Sequence, residues 1–302
     1  MYTAMKMKNS KTLDNTAGVL CALGGETLFG LSIIFTKQVT EYADALSLLG
    51  WRFLIAFVVM SLCLLLGLIK IDLRGKSLKP LLLVALWSPC IYYISETVGV
   101  RYTTASESAV FFACIPVVSL VASTLLLKEK PNIIQLGGVT TAFAGMLMIV
   151  KPGFTGMSFF PAAIGTLGGA GAGIAYTFVR KLGSRGEDST KIIFWFSAFS
   201  TAVCLGFMLI PGNFEIMSAR QILFMCLAGL CACIGQFGIT NAYIFAPAKE
   251  ISVYDYSQVV FAALLGFILF GQIPDLFSIF GYILICGAGI AMFFYNKRRM
   301  HN

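Results

Sequence analysis

The chain is dominated by apolar runs of about 20 residues, the length at which an α-helix rising 1.5 Å per residue crosses about 30 Å of hydrocarbon. Ten such runs are read at 17–37, 46–69, 80–100, 103–127, 132–150, 159–180, 191–211, 220–245, 250–270 and 275–295. The composition agrees, at 58% hydrophobic and 12% charged residues. A soluble domain needs roughly 25% charged residues to cover its surface, so lipid is expected to cover the rest. The expected fold class is therefore an all-α membrane protein of ten transmembrane helices. The links between the runs are too short to hold a soluble domain. The first run follows a polar stretch (Lys6, Lys8, Lys11, Asp14, Asn15) without a small-residue cleavage signal, so the N-terminal segment is expected to remain on the chain.

The formal charge of +8 must be read by position. With the N-terminus inside, the cytoplasmic segments collect about 17 basic residues and the outer loops about four. The inner set includes Lys70, Arg74, Lys76, Lys79, Arg180, Lys181, Arg185, Lys191, Lys297, Arg298 and Arg299. Both termini are thus expected to be cytoplasmic, in a multi-pass protein of the cell membrane. This distribution follows the membrane and gives no reason to expect a nucleic-acid partner. The single histidine, His301, lies in the C-terminal tail, so the apolar body has no imidazole for metal ligation or general-base chemistry. Nine cysteines all fall inside apolar stretches, where a thiol behaves as a small hydrophobe. Cys231 and Cys233 lack the spacing of a redox or zinc motif. Neither a metal nor a cofactor is expected.

Sliding the chain on itself by about 143 or 144 residues superposes features in one order, the signature of a duplicated carrier. Leu23-Gly24-Gly25 falls on Leu167-Gly168-Gly169, Lys37 on Lys181, Trp51 on Trp195, Glu107 on Glu250, Pro131 on Pro274 and Gly138 on Gly281. The chain then divides into a cytoplasmic N-terminal segment (1–16), two five-helix repeats (17–150 and 159–295) and a basic tail (296–302). Repeats with an odd number of spans enter the membrane from opposite sides, so the two have inverted topology.

These residues resemble the EamA-type branch of the drug/metabolite transporter superfamily. The resemblance rests on Phe29-Gly30 with Lys37, on Arg52-Phe53, and on Lys128-Glu129-Lys130-Pro131 leading into Gly137-Gly138 and Gly145. The second half echoes the last pattern as Gly271-Gln272-Ile273-Pro274 leading into Gly281, Gly287 and Gly289. Phe29 stands where the family commonly has Trp, and Gln272 where it often has Glu. The resemblance implies ten helices in two inverted repeats with a substrate cavity between them, and it implies no one substrate.

Charged groups inside a bilayer cost several kcal/mol unless paired or hydrated, which makes each a functional candidate. Glu26, among the glycines of the first span, is the leading one: a carboxylate for a proton or a cationic substrate, or else the permanent ion-pair partner of Arg52. The third span puts Pro89, Tyr92, Tyr93 and Glu96 on one face, the eighth puts Gln236 and Thr240 at i and i+4, and the ninth carries Tyr254, Asp255 and Gln258. Phe29, Tyr92, Tyr93, Tyr176 and Tyr254 with the carboxylates would suit an amine through cation–π attraction. Glu107 and Glu250 read as interfacial. Gly165, Gly168, Gly169, Gly171 and Gly173 in the sixth span lack the Lys-Ser/Thr of a phosphate loop and read as small-residue packing.

An intramembrane protease is disfavoured, since serine chemistry needs a histidine partner and aspartyl chemistry a second Asp. No P-loop is present to drive primary transport. The expected function is secondary-active transport of a small organic metabolite, an amine, amino acid or related cation or zwitterion, by proton-linked alternating access. The alternative is a multidrug, nucleoside or sugar carrier of the same fold. The partners expected are the substrate, the bilayer and the proton as coupling ion, and a monomer suffices.

Overall fold

The computed structural model describes residues 2–37, 39, 45–71, 78–92, 95, 105–151, 159–209, 218–271 and 273–301, and among them every regular element is helical. We label α1 (Tyr2–Lys37), α2 (Ala45–Leu65), α3 (Leu78–Ala85, continuing as a π-helix over Leu86–Tyr92), α4 (Ala105–Leu127) and α5 (Ile133–Val150). The second half contains α6 (Phe159–Ser184), α7 (Ser189–Met208), α8 (Ala219–Phe245), α9 (Ser257–Phe270) and α10 (Leu276–His301). A turn at Ala248–Ile251 and a 3₁₀ segment at Ser252–Tyr256 lead into α9. A helical segment thus stands at each place where an apolar run is read. Among the described residues five stretches are long and apolar enough to cross a membrane, within α2, α7, α8, Ala248–Ile268 and α10.

Local chemistry sets several boundaries. Asn132 accepts from Gln135 N while the Gln135 side chain accepts from Asn132 N, a capping box that starts α5, and Ser218 and Gln221 do the same for α8. Gly271, at φ 64°, ends α9 in the left-handed conformation that glycine adopts without a Cβ penalty. Helix α3 stops at Ala85, where the π-helix that contains Pro89 begins; proline has no N–H to continue the ladder.

Two helices extend beyond the apolar runs. Helix α1 begins at Tyr2 and not near residue 17, because neither proline nor glycine interrupts 2–17 and Ala4, Met5, Lys6, Met7 and Lys8 are strong helix formers. Helix α10 likewise runs through the basic tail to His301.

The helices pack in pairs that exchange between the halves. Helix α1 lies against α8 and α9, while α6 lies against α3 with its π extension and against α4; α2 pairs with α7 and α5 with α10. At the last contact a Cβ on Gly145 would sit 2.7 Å from Gly281 O, and one on Gly281 would sit 2.5 Å from Gly145 O, so each glycine admits the other's backbone. Leu20, Leu62, Leu125, Ile133, Phe160, Leu223, Ile268 and Phe280 point outward. In water so much apolar surface would be an aggregation hazard, and in a bilayer it is solvated.

Candidate functional site

The site begins where α1 meets α8. A Cβ on Gly25 would lie 2.9 Å from Gly235 O and 3.0 Å from Ile239 N, and one on Gly238 would lie 2.7 Å from Cys21 O and from Gly25 Cα. Only glycine allows these backbones to approach so closely. Ser32 Oγ donates to Ala228 O at 2.8 Å further along the same seam. Glu26 is carried on this seam and is therefore drawn into the interior, with 4% of its surface exposed and its Oε2 without a hydrogen-bond partner.

A second carboxyl group approaches from the 3₁₀ segment before α9: Asp255 lies within electrostatic reach of Glu26. Its Oδ2 accepts a 2.5 Å hydrogen bond from Tyr243 Oη, while its buried Oδ1 has no partner. Tyr243, on α8, is fully buried; its ring stacks on Tyr176 of α6 with centroids 4.9 Å apart, and its hydroxyl is 3.4 Å from Ser119 Oγ of α4. Four helices and the 3₁₀ segment thus converge on two carboxyl groups. Glu26 and Arg52 form no ion pair. Among the described residues the ion pairs are Lys151–Asp275, Arg180–Glu129 at 3.1 Å and Lys191–Glu187 at 3.1 Å.

Arg52 instead lines a small, half-open cleft of about 20 Å³ with Phe29, Phe53, Phe196, Ser197 and Gln236. Its guanidinium stands 5.7 Å from the centroid of the Phe53 ring. Phe29 and Gln236 from the sequence reading therefore meet at this cleft, and Glu26, Asp255 and Tyr176 meet at the carboxyl cluster. Gln236 also donates to Thr240 at 3.2 Å, the expected i, i+4 pair. Tyr254 and Asp255, consecutive in the 3₁₀ segment, stand about 120° apart around its axis and meet different neighbours: Tyr254 Oη donates to Gly289 O of α10 at 3.2 Å. Gln258 packs its carbonyl near Gly30, and Tyr92 ends the π-helix beside Gly171. Tyr93 and Glu96 lie outside the described residues, as does the side chain of Glu107. Glu250 accepts from Asn15 at 2.6 Å, tying the turn before α9 to α1.

Tyr243 and Ser119 are not among the residues singled out from sequence. A signal existed: Tyr243 continues the Gln236 and Thr240 stripe to i+7 on the same face of α8. Arg180, read only as a cytoplasmic charge, pairs with Glu129 and donates to Ile244 O at 2.6 Å, holding the end of α8 against α6. Among the described residues no cluster of His, Cys, Asp and Glu could hold a metal ion.

Comparison with known proteins gives the arrangement a context. An uncharacterized transporter of Helicobacter pylori is 27% identical over 287 residues, covering 90% of this chain and 93% of that protein. The Pseudopaline exporter CntI of Pseudomonas aeruginosa is 24% identical over 278 residues, covering 91% and 95%. The match to the uncharacterized transporter YcxC of Bacillus subtilis, 29% identical over 136 residues, covers 45% of this chain and spans only 44% of that protein. A solved crystal structure shares the fold, with a TM-score of 0.79 over 95% of this chain and 100% of its own, at 15% identity. The profile of the EamA-like transporter family matches twice, at residues 16–151 and 160–295. With both halves of the chain matched in this way, the protein belongs to the EamA-like transporter family.

Proposed function

We propose that this protein is a secondary-active carrier of a small cationic or zwitterionic organic metabolite, an amine or an amino acid, and that it exchanges the solute for protons by alternating access. The observation that carries the reading is Glu26: a buried carboxyl group with an orphan oxygen, beside Asp255, with no cation paired to either among the described residues. An uncompensated charge in a bilayer is costly, so such a pair is kept for a ligand that neutralises it. A proton and a substrate ammonium can do so in turn, and exclusive occupancy couples their movements.

The rest of the reading has the same basis. Two inverted five-helix repeats (17–150 and 159–295) rock about the pair seams α2–α7 and α5–α10, with both termini cytoplasmic in the cell membrane and one chain forming a complete unit. The cleft of Phe29, Arg52 and Gln236, small in this structure, widens during alternation to receive the body of the solute. Tyr92, Tyr93, Glu96, Tyr254 and Gln258 complete the polar lining as α3 and α9 move. The relative named as a pseudopaline exporter and the Vibrio cholerae protein named as a riboflavin transporter, 23% identical over 161 residues, are consistent with carriage of organic metabolites.

The test is uptake of a panel of amines, amino acids, nucleosides and sugars by protein reconstituted in liposomes, with and without an imposed pH gradient. Acceleration of an amine or amino acid by the gradient is the expected result. Movement of neutral solutes alone, indifferent to the gradient, would sink the proposal.

A further inference from the structure

At the end of the molecule where α10 finishes, three lipid-facing surfaces stop on cations that the transport reading does not use. On α10, Ile283, Ile290 and Phe294 are exposed and form one outward stripe at i, i+7 and i+11. Exposed Arg298 continues that stripe at i+15, about 6 Å beyond Phe294, with exposed Lys297 beside it. On α4, Val121 and Leu125 point outward, and exposed Lys128 follows just past the helix end. Ile133, 85% exposed, opens the outward face of α5 three residues after exposed Lys130.

We infer that Lys128, Lys130, Lys297 and Arg298 form a binding site for the phosphate headgroup of an anionic phospholipid in the adjoining leaflet. The four are held together by the fold. Asn132 Nδ2 donates to Tyr295 Oη at 2.6 Å and Gln135 Nε2 to Asn296 Oδ1 at 3.4 Å, which fixes the α4–α5 link against α10 one or two residues from Lys130 and Lys297. Lys249 Nζ donates to Lys130 O at 3.3 Å and braces the link from the other side. Helix α10 stays helical to His301, so Lys297 and Arg298 stand at set positions on a rigid element. The Lys297 ammonium lies 6.0 Å from the centroid of the Phe293 ring, at the level where the apolar surface ends and headgroups begin.

The sign of the partner follows from where the acids go. Glu129 sits between Lys128 and Lys130 in sequence but turns inward, where its Oε1 accepts from Arg180 Nε at 3.1 Å and its Oε2 is buried. Glu250, in the turn that carries Lys249, accepts from Asn15. Among the described residues none of the four cations is in an ion pair. At the opposite end of the same α5–α10 pair the charges cancel, since Lys151 pairs with Asp275. A cluster of cations just outside the hydrocarbon attracts an anionic headgroup, and the Arg298 guanidinium can hold two phosphate oxygens at once. A zwitterionic headgroup brings its own ammonium to the same cluster and gains less. The site is remote from the carboxyl cluster and does not depend on what the protein carries.

The test is the melting temperature of the purified full chain in neutral-detergent micelles containing about 20 mol% phosphatidylglycerol, the same amount of phosphatidylcholine, or inorganic phosphate without lipid, because a ligand of the native state stabilises it. Phosphatidylglycerol is expected to raise the melting temperature several degrees more than phosphatidylcholine, with the excess shrinking as salt is added. Lys130→Gln with Arg298→Gln should lose more than half of that excess, each cation contributing roughly fivefold in affinity for an anionic surface. Lys130→Arg with Arg298→Lys, which keeps the charges, should retain most of it and separates loss of charge from altered packing. Arg220→Gln removes an exposed cation about 36 Å along α8 from Ile244, and should retain all of it. An equal excess in the wild type and the neutralised pair, an equal shift with phosphatidylcholine, or a loss as large in the charge-retaining pair would overturn the inference. The full shift from inorganic phosphate alone would overturn it too, by making this a site for a soluble anion.

Discussion

The seam between α1 and α9 and the seam between α6 and α4 are built on one plan and carry different chemistry. On the first, a Cβ on Gly30 would meet Ala262 N at 3.3 Å and Gln258 O at 3.6 Å; on the second, one on Gly173 would meet Ser119 N and Ile115 O, both at 2.8 Å. Gly173, Gln258 and Ala262 each follow their counterparts Gly30, Ile115 and Ser119 by about 143 residues, the period of the repeat. Yet helix α1 of the first seam bears Glu26 and α9 follows directly on Asp255, whereas the second bears Thr177, whose hydroxyl donates to Gly173 O at 3.1 Å, and Ser119. The register of Glu26 in α6 is occupied by Gly169 and Ala170. Duplication preserves the backbone approach that lets helices pack, and the charge that gives a carrier its coupling need be present only once.

Breaking the shared plan should have the largest effect. Gly30→Leu and Gly173→Leu each drive a side chain toward backbone, and each is expected to cost about 3 kcal/mol or more, read as loss of the monodisperse peak in detergent. Disruption at one seam only would mean that the two are not equivalent in packing. Breaking the difference comes next: Glu26→Gln should lower pH-driven exchange by roughly tenfold or more with the fold intact, while Thr177→Val on the other seam should leave exchange nearly unchanged. Equal losses would remove the asymmetry. Tyr243→Phe, at a residue that bonds Asp255 and stands by Ser119, should lower thermal stability by about 1–2 kcal/mol through the lost buried hydrogen bond. An unchanged melting temperature would show that this bond is not held in solution. The smallest effect sharpens the glycine argument: Gly24, next to Gly25, would place a Cβ with nothing within 4 Å. Gly24→Ala should therefore be neutral or stabilise by up to about 1 kcal/mol through helix propensity.

Much of this was legible in the sequence, for identifiable reasons. Apolar runs and the glycine pairs at the period of the repeat announce helices and their seams, because bilayer thickness and backbone approach leave few other solutions. Glu26 and Asp255 stand out because an ionisable residue in an apolar run is rare. Their meeting was not legible, since it depends on how the segment Ser252–Tyr256 packs in space, with Asp255 accepting from Tyr243 and Tyr254 donating to Gly289. The contacts of Tyr243 were hidden because a tyrosine in a membrane helix reads as packing unless its neighbours in space are known. The extension of α1 back to Tyr2 was missed because a polar stretch was read as a tail, although nothing in it breaks a helix.

The central claim is that a buried carboxyl site couples a cationic or zwitterionic solute to protons. It is tested most directly by thermal stabilisation of the purified protein against amines, amino acids, nucleosides and sugars, across pH, for the wild type and Glu26→Gln, since a ligand of the native state raises its melting temperature. The expected result is a shift with cations or zwitterions that grows with pH in the wild type and is absent in Glu26→Gln. A shift with neutral solutes only, equal in both proteins and flat with pH, would contradict it and leave Glu26 a structural residue.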